Sequence, residues 1–235
     1  MTTPRGPRSV PRAAGTTAIV LAGGRSTRFG GPKLALEIEG RSLLEHAIGA
    51  AAEVVEAVIV AGSSVPDRFP GGAGDLPIRS VTDDEAFAGP LAGLSGALRV
   101  TATGLAIVVG GDMPGLVPDV LRAMIDRLAA DDAIDAVVLA SPLDASAEPA
   151  GEPARRQALP LAIDVARGTA ASMEAVASGD RSLVRLLDRL RVMEIPASEW
   201  LPLDPAGRTL FDVDRPADVA RIRHELRRTP FSGPR

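Results

Sequence analysis

Cysteine is absent from this chain of 235 residues. That excludes disulfides, a thiolate nucleophile and any zinc site built on sulfur. Histidine is nearly absent: only His46 and His224 occur, so a multi-histidine metal site is excluded as well. No apolar run approaches the roughly 20 residues of a membrane span. The opening stretch MTTPRGPRSVPRAAG is basic but lacks the apolar core of a secretory signal, so the cytoplasm is the expected location. An excess of positive charge is also lacking. Lys and Arg number 26 against 30 Asp and Glu, a net charge of −4, which argues against a nucleic-acid binder that relies on phosphate neutralisation. What is present is ordinary for a water-soluble chain: 46% hydrophobic residues and a length that supports one α/β domain with a large core. Residues 1–15 are expected to form a disordered basic tail, 16–226 a single domain, and 227–235 a second disordered tail.

Apolar strand-like runs alternate with helix-patterned segments. The runs are Ala18–Ala22, Ala57–Ala61, Ile78–Val81, Ala106–Val109, Ala136–Ala140 and Leu159–Ile163, with Val192–Ile195 as a possible edge strand. In RSLLEHAIGAAAEV, Leu43, Leu44, Ala47, Ile48 and Ala51 share a helical face and Ser42 is placed to cap it. VPDVLRAMIDRLA puts Val120, Leu121, Met124, Ile125 and Leu128 on one face behind Pro118. RSLVRLLDRL and RPADVARIRHEL read as two more helices. This alternation predicts an α/β fold of three layers, a mostly parallel twisted sheet with helices on both faces. Ligands of such sheets sit beyond the C-terminal ends of the strands. Two stretches lack order signals, Ser63–Asp75 and Asp144–Gln157. The second is polar and Pro-rich, long enough for an active-site loop or simple disorder.

The first strand runs into LAGGRSTRFGGPKL, where Gly23, Gly24, Gly30 and Gly31 surround Arg25 and Arg28 and precede Lys33. Glycines let backbone N–H groups approach a ligand closely, and cations answer a phosphate. Read plainly, the stretch is a Gly-rich turn with solvated cations. It is not a P-loop, since Pro32 precedes Lys33 and Leu34 follows it, and it holds no Gly-x-Gly-x-x-Gly fingerprint. VVGGDMPGL places Asp112 just past an apolar run, where a carboxylate enters the same crevice or caps a turn. VTDDEAFAGPLAGLSGAL holds Asp83 and Asp84 before Gly89-Pro90-Leu91.

Together these segments resemble the nucleotidyltransferase signature, and within that superfamily the molybdenum cofactor guanylyltransferases and their MobA-like relatives. The order of Gly23, Gly24, Arg28, Gly30 and Lys33 carries the resemblance. It implies a Rossmann-like nucleotidyltransferase fold over 16–226. It implies Leu21, Ala22, Gly23, Gly24, Lys33, Asp83 and Asp112 as nucleotide-binding residues, with Asp84 as the fallback for Asp83. Arg28, Lys33 and Asp112 would be the catalytic set. Asp112 would hold Mg²⁺, a hard cation usually bound by one or two carboxylates plus substrate phosphates. Gly89 and Gly93 would let a nucleoside pack near a helix start.

The implied reaction is transfer of GMP from GTP to the terminal phosphate of a molybdopterin-type acceptor, with release of pyrophosphate. A phosphate monoester is a competent nucleophile near neutral pH, so no general base is needed and catalysis is positioning plus charge stabilisation. His46, beside Glu45 in a helical pattern, reads as a surface or packing residue, and His224, among charges, as solvated. FDVDRPADVARI stands where the family has Asn-x-Asn-Thr-Pro-Glu-Asp-Leu. Asp212 and Asp214 replace both asparagines and Arg215 replaces Thr. They are assigned to the acceptor side, with a second metal ligand as the rival role. An ionised Asp cannot donate to an anionic acceptor as Asn does. Two further readings stay open: a nucleotidyltransferase with another nucleotide or acceptor, and a non-catalytic nucleotide binder. The joint presence of Arg28, Lys33 and Asp112 argues against the last.

Overall fold

A computed structural model of the chain describes residues 15–23, 32–62, 76–81, 89–142 and 157–228. The apolar runs form strands because each is short, β-branched and bounded by turn residues. In chain order the elements begin with β1 (Thr16–Leu21), a 3₁₀ turn (Lys33–Ala35), β2 (Glu37–Ile38), β3 (Arg41–Ser42) and α1 (Leu43–Ala52). Then come β4 (Ala57–Ala61), β5 (Ile78–Val81), α2 (Pro90–Val100), β6 (Leu105–Gly110), α3 (Pro118–Ala129) and β7 (Ala136–Leu139). The chain continues through β8 (Leu161–Asp164), α4 (Val165–Ala177), α5 (Leu183–Leu187), β9 (Val192–Ile195) and α6 (Ala197–Trp200). A second 3₁₀ turn (Arg208–Leu210) and α7 (Pro216–Arg228) follow.

Among the described residues, seven strands make one sheet in the order β5-β4-β1-β6-β8-β7-β9. All neighbours run parallel except β8, which is antiparallel to both β6 and β7. Between β7 and β8 the sequence has a Pro-rich polar stretch rather than a helix pattern, and β8 returns alongside β7 in the opposite sense. β8 starts at Leu161, two residues later than the apolar run, because Pro160 has no N–H for a ladder. Val192–Ile195 is an edge strand, as its pattern predicts.

Both faces of the sheet are covered, and the strands show it residue by residue. Ala18, Val20, Val58, Val60, Ile107 and Val109 face the core with α1 and α3; Ile19, Ile59, Ala106 and Val108 face the core with α2, α4 and α5. The period of two thus splits one apolar run between two cores. α1 begins at a capping box: Ser42 Oγ accepts from Glu45 N–H at 3.2 Å, and Glu45 Oε2 accepts from Ser42 N–H at 2.6 Å. α3 buries all five residues assigned to its apolar face.

The expected elements did not include α4, α6 or the pair β2 and β3. β2 and β3 form a hairpin in which Ile38 pairs with Arg41 across Glu39 and Gly40, whose φ values are 51° and 77°. Two positive φ angles in a two-residue loop are the primed turn that fits strand twist. The α7 helix covers this hairpin: Ile38, Leu43, Val213 and Ile222 form a separate small core. Among the described residues no helix is long and apolar enough to cross a membrane.

Candidate active site

The ends of β1, β4 and β6 meet at the C-terminal edge of the sheet. Leu21 pairs with Gly110, Gly111 N–H donates to Leu21 O at 2.9 Å, and Ala22 N–H donates to Ala61 O at 2.8 Å. Leu21 is half-buried, Ala22 buried and Gly23 exposed, so the chain leaves the core where the glycine-rich stretch starts. Gly62, just past β4, has φ of +92°, and a Cβ there would stand 2.6 Å from Gly23 Cα. Only glycine permits that backbone approach. Gly24, Arg28, Asp83 and Asp84, along with Arg25, Gly30 and Gly31, lie outside the described residues.

Asp112 projects from the turn after β6, and Lys33 reaches it from the 3₁₀ turn. Lys33 Nζ donates to Asp112 Oδ2 at 2.8 Å and to Asp214 Oδ1 at 3.0 Å. The two carboxylates come from opposite directions in the chain, and the backbone links them: Val213 N–H donates to Asp112 O at 3.0 Å. Asp218 Oδ2 accepts from Asp214 N–H and Arg215 N–H at 2.9 and 2.7 Å, which fixes the entry to α7. Lys33 therefore bridges Asp112 and Asp214, joining three sequence-predicted residues from distant segments, with Asp212 two residues from Asp214.

The charges are unbalanced. Burial acts to lower the Lys33 pKa, but hydrogen bonds and attraction from Asp112 and then Asp214 outweigh it and hold the ammonium above its ordinary value. Much of the Asp212 surface faces solvent, yet partial desolvation, and then repulsion from Asp214 and Asp112, push its carboxyl upward. Among the described residues, one lysine thus stands near three carboxylates. Among the described residues no group of three His, Asp or Glu side chains is arranged to hold a metal by itself. Asp112 with Asp214 fits a hard divalent cation whose remaining ligands come from a substrate's phosphates, the usual pattern for Mg²⁺.

Close packing sets these positions. A Cβ on Gly111 would lie 3.2 Å from Leu21 O, 3.1 Å from Leu44 Cδ1 and 3.4 Å from Leu34 Cδ2, so α1 and the Lys33 turn press on the residue before Asp112. Asp204, 2% exposed, accepts from Thr209 N–H at 2.7 Å, and Thr209 Oγ1 accepts from Val117 N–H at 3.2 Å. This buried pair ties the segment leading to Asp212 to the segment following Asp112. Neither Gly62, Gly111, Asp204 nor Thr209 carries a signal in one sequence, because each acts through a contact made only in the fold. Gly89 opens α2 as expected, with φ of +97°, but the space beside it faces Arg181, whose Cβ and carbonyl oxygen would each be 3.2 Å from an added Cβ. His46 is buried, and its Nε2 lies 2.8 Å from Ile38 O; His224 is exposed on α7.

Comparison with known proteins places the chain among nucleotidyltransferases. The family model of the MobA-like NTP transferase domain matches residues 18–193. The probable molybdenum cofactor guanylyltransferase of Chloroflexus aggregans is 29% identical over 214 residues, 89% of this chain and 94% of that protein. The 2-C-methyl-D-erythritol 4-phosphate cytidylyltransferase of Deinococcus radiodurans is 34% identical over 119 residues, 50% of this chain and 48% of that protein. The molybdopterin-guanine dinucleotide biosynthesis protein A of Archaeoglobus fulgidus shares the fold. Its TM-score is 0.68 at 20% identity, over 91% of this chain and all of that one.

Proposed function

The chain belongs to the MobA-like NTP transferase family and is a nucleotidyltransferase, and from that premise we propose that it transfers GMP from GTP to the terminal phosphate of a molybdopterin-type acceptor. The observation that carries the reading is the Lys33–Asp112–Asp214 contact at the sheet edge where the glycine-rich stretch begins. The likeness to a probable molybdenum cofactor guanylyltransferase over 89% of this chain supports the choice of base and acceptor.

Each residue has a chemical task in this reaction. Gly23 and the glycines after it bring backbone N–H groups to the triphosphate. Lys33 exchanges a carboxylate for a phosphate oxygen and holds charge that grows on the departing pyrophosphate. Arg28 is assigned the same task. Asp112, assisted by Asp214, would hold Mg²⁺, which would supply neutralisation of phosphate charge. Leu21, Ala22 and Asp83 complete the nucleotide side. An acceptor phosphate oxygen attacks the α-phosphorus, the bond to the bridging oxygen of the β-phosphate breaks, and pyrophosphate leaves. Neither histidine serves as a base in this reading: His46 is engaged with Ile38, and the His224 side chain is exposed on α7. Acceleration therefore comes from positioning and charge.

A second reading, transfer of another nucleotide or to another phosphorylated acceptor, rests on Asp212, Asp214 and Arg215 standing where the family has Asn, Asn and Thr. The partial likeness to a cytidylyltransferase is its second support. One assay decides between them. The protein is incubated with Mg²⁺, molybdopterin and each nucleoside triphosphate in turn, and pyrophosphate is measured. Release with GTP and molybdopterin alone supports the first reading; equal release with CTP, or none without a different acceptor, supports the second.

A further inference from the structure

The turn that carries Lys33 is a single 3₁₀ turn with no buried residue of its own. Such a turn does not hold itself in place. Its support lies downstream, on the first two turns of α1. Leu43 N–H donates to Leu36 O at 3.0 Å, and His46 Nε2 stands 2.8 Å from Ile38 O. Ile38 is fully buried and His46 is 8% exposed, so water does not compete for this bond. α1 is in turn fixed by its capping box and by Leu44, which packs with Leu34 against Gly111, next to Asp112. α1 thus sets the Lys33 segment relative to the Asp112 turn.

We propose that His46 is a positioning residue for Lys33: its Nε2–H pins the Ile38 carbonyl and so fixes the distance from Lys33 Nζ to the Asp112 carboxylate. The imidazole is kept neutral for this role. Burial and then, against the opposing Ile38 bond, the nearby Arg41 lower its pKa, while Glu45 and Glu39 act weakly the other way. A neutral ring with the proton on Nε2 donates to a carbonyl and accepts at Nδ1. The consequence for catalysis rests on Lys33 being a phosphate ligand, as proposed above; the positional claim does not.

Glutamine and asparagine separate the pin from mere polarity. A Gln amide nitrogen reaches as far as imidazole Nε2, whereas an Asn amide reaches only as far as Nδ1. His46→Gln and His46→Asn are compared in two ways, with melting curves confirming that both are folded. First, the Lys33 ammonium signal is followed by ¹⁵N NMR, assigned by its loss in Lys33→Ala. It should match the parent in His46→Gln and shift or broaden in His46→Asn. Second, nucleoside triphosphate affinity should fall about tenfold in His46→Asn and stay within about twofold in His46→Gln, and the Asn effect should vanish in a Lys33→Ala background, as coupled sites require. An unchanged Lys33 signal in folded His46→Asn, or an equal loss of affinity with and without Lys33, overturns the proposal. If no triphosphate binds the parent, the functional reading fails, and the Lys33 signal alone decides the role of His46.

Discussion

Lys33 touches two carboxylates, and the two differ in what their loss should do. Asp112→Asn keeps shape and removes the charge that would hold Mg²⁺. Turnover is expected to fall by about two to three orders of magnitude, with nucleotide affinity reduced less. Lys33→Ala removes a contact made in ground and transition states, so it should raise the apparent nucleotide constant as well as slow turnover. Pyrophosphate release across nucleotide and Mg²⁺ concentrations checks both; an Asp112→Asn protein that turns over like the parent refutes the site. Asp214→Asn leaves Lys33 with one carboxylate. Direct titration should then show tighter nucleotide binding without divalent cation, by about three- to tenfold, and a higher Mg²⁺ requirement for turnover. A change confined to acceptor affinity would return Asp214 to the acceptor side. Lys33 and Asp112 were legible as separate residues because each stands in a local pattern. Their contact was not, since 79 positions separate them, and 181 separate Lys33 from Asp214.

Elements with a regular apolar pattern were legible: β4, β5 and β9 run as patterned, and α3 buries the whole predicted face, whereas α4, thirteen residues long, was not among the expected helices. The β2–β3 hairpin was not legible, because two-residue strands have no period to read. Its turn puts Glu39 at φ 51°, a left-handed conformation that costs an ordinary residue about 1–2 kcal/mol and Asn less. Glu39→Asn should raise the melting temperature by roughly 2–4 °C. No rise, or a fall, in a thermal scan would show that Glu39 contributes more through its side chain than its backbone loses. The strand ends teach the opposite lesson. Gly62 sits at the close of β4 with its Cα hydrogen directed at Gly23, and Gly62→Ala would force a Cβ within 2.6 Å of that backbone. The substitution should weaken triphosphate binding about tenfold or more by displacing the first glycine of the loop. Affinity equal to the parent would mean that the loop does not depend on β4.

On the scale of the whole molecule, the sheet has a site edge and a structural edge. Lys33, Asp112 and Asp214 gather beyond the C-terminal ends of the parallel strands, where, among the described residues, one ammonium is shared by two carboxylates. The opposite edge holds a closely paired carboxylate. Asp135, just before β7 and 7% exposed, accepts from Arg191 Nε and Nη2 at 3.0 and 2.6 Å, from Arg191 N–H at 2.9 Å, and faces Arg167 Nη1 at 3.0 Å. Its own carbonyl receives Asp164 N–H at 2.9 Å. This joins the starts of β7 and β9 to the end of β8, the one antiparallel strand. The Arg191 hydrogen bonds, against a desolvation penalty, lower the Asp135 pKa from 3.8 to about 2. A carboxyl with a depressed folded pKa stabilises the fold above its unfolded pKa and loses that contribution as pH falls through the folded one. The stabilisation from Asp135 is therefore complete above about pH 4 and fades toward pH 2. The lowered pKa of His46 acts in the same direction at higher pH: the unfolded chain takes up its proton first, so stability begins to decline below about 6.5. Asp135→Asn should melt a few degrees below the parent at pH 7, with the gap narrowing as pH drops from about 4 to about 2. Paired thermal scans across that range measure it. A gap that stays constant to pH 2 would mean that shape at this position, and not the carboxylate charge, holds the structural edge together.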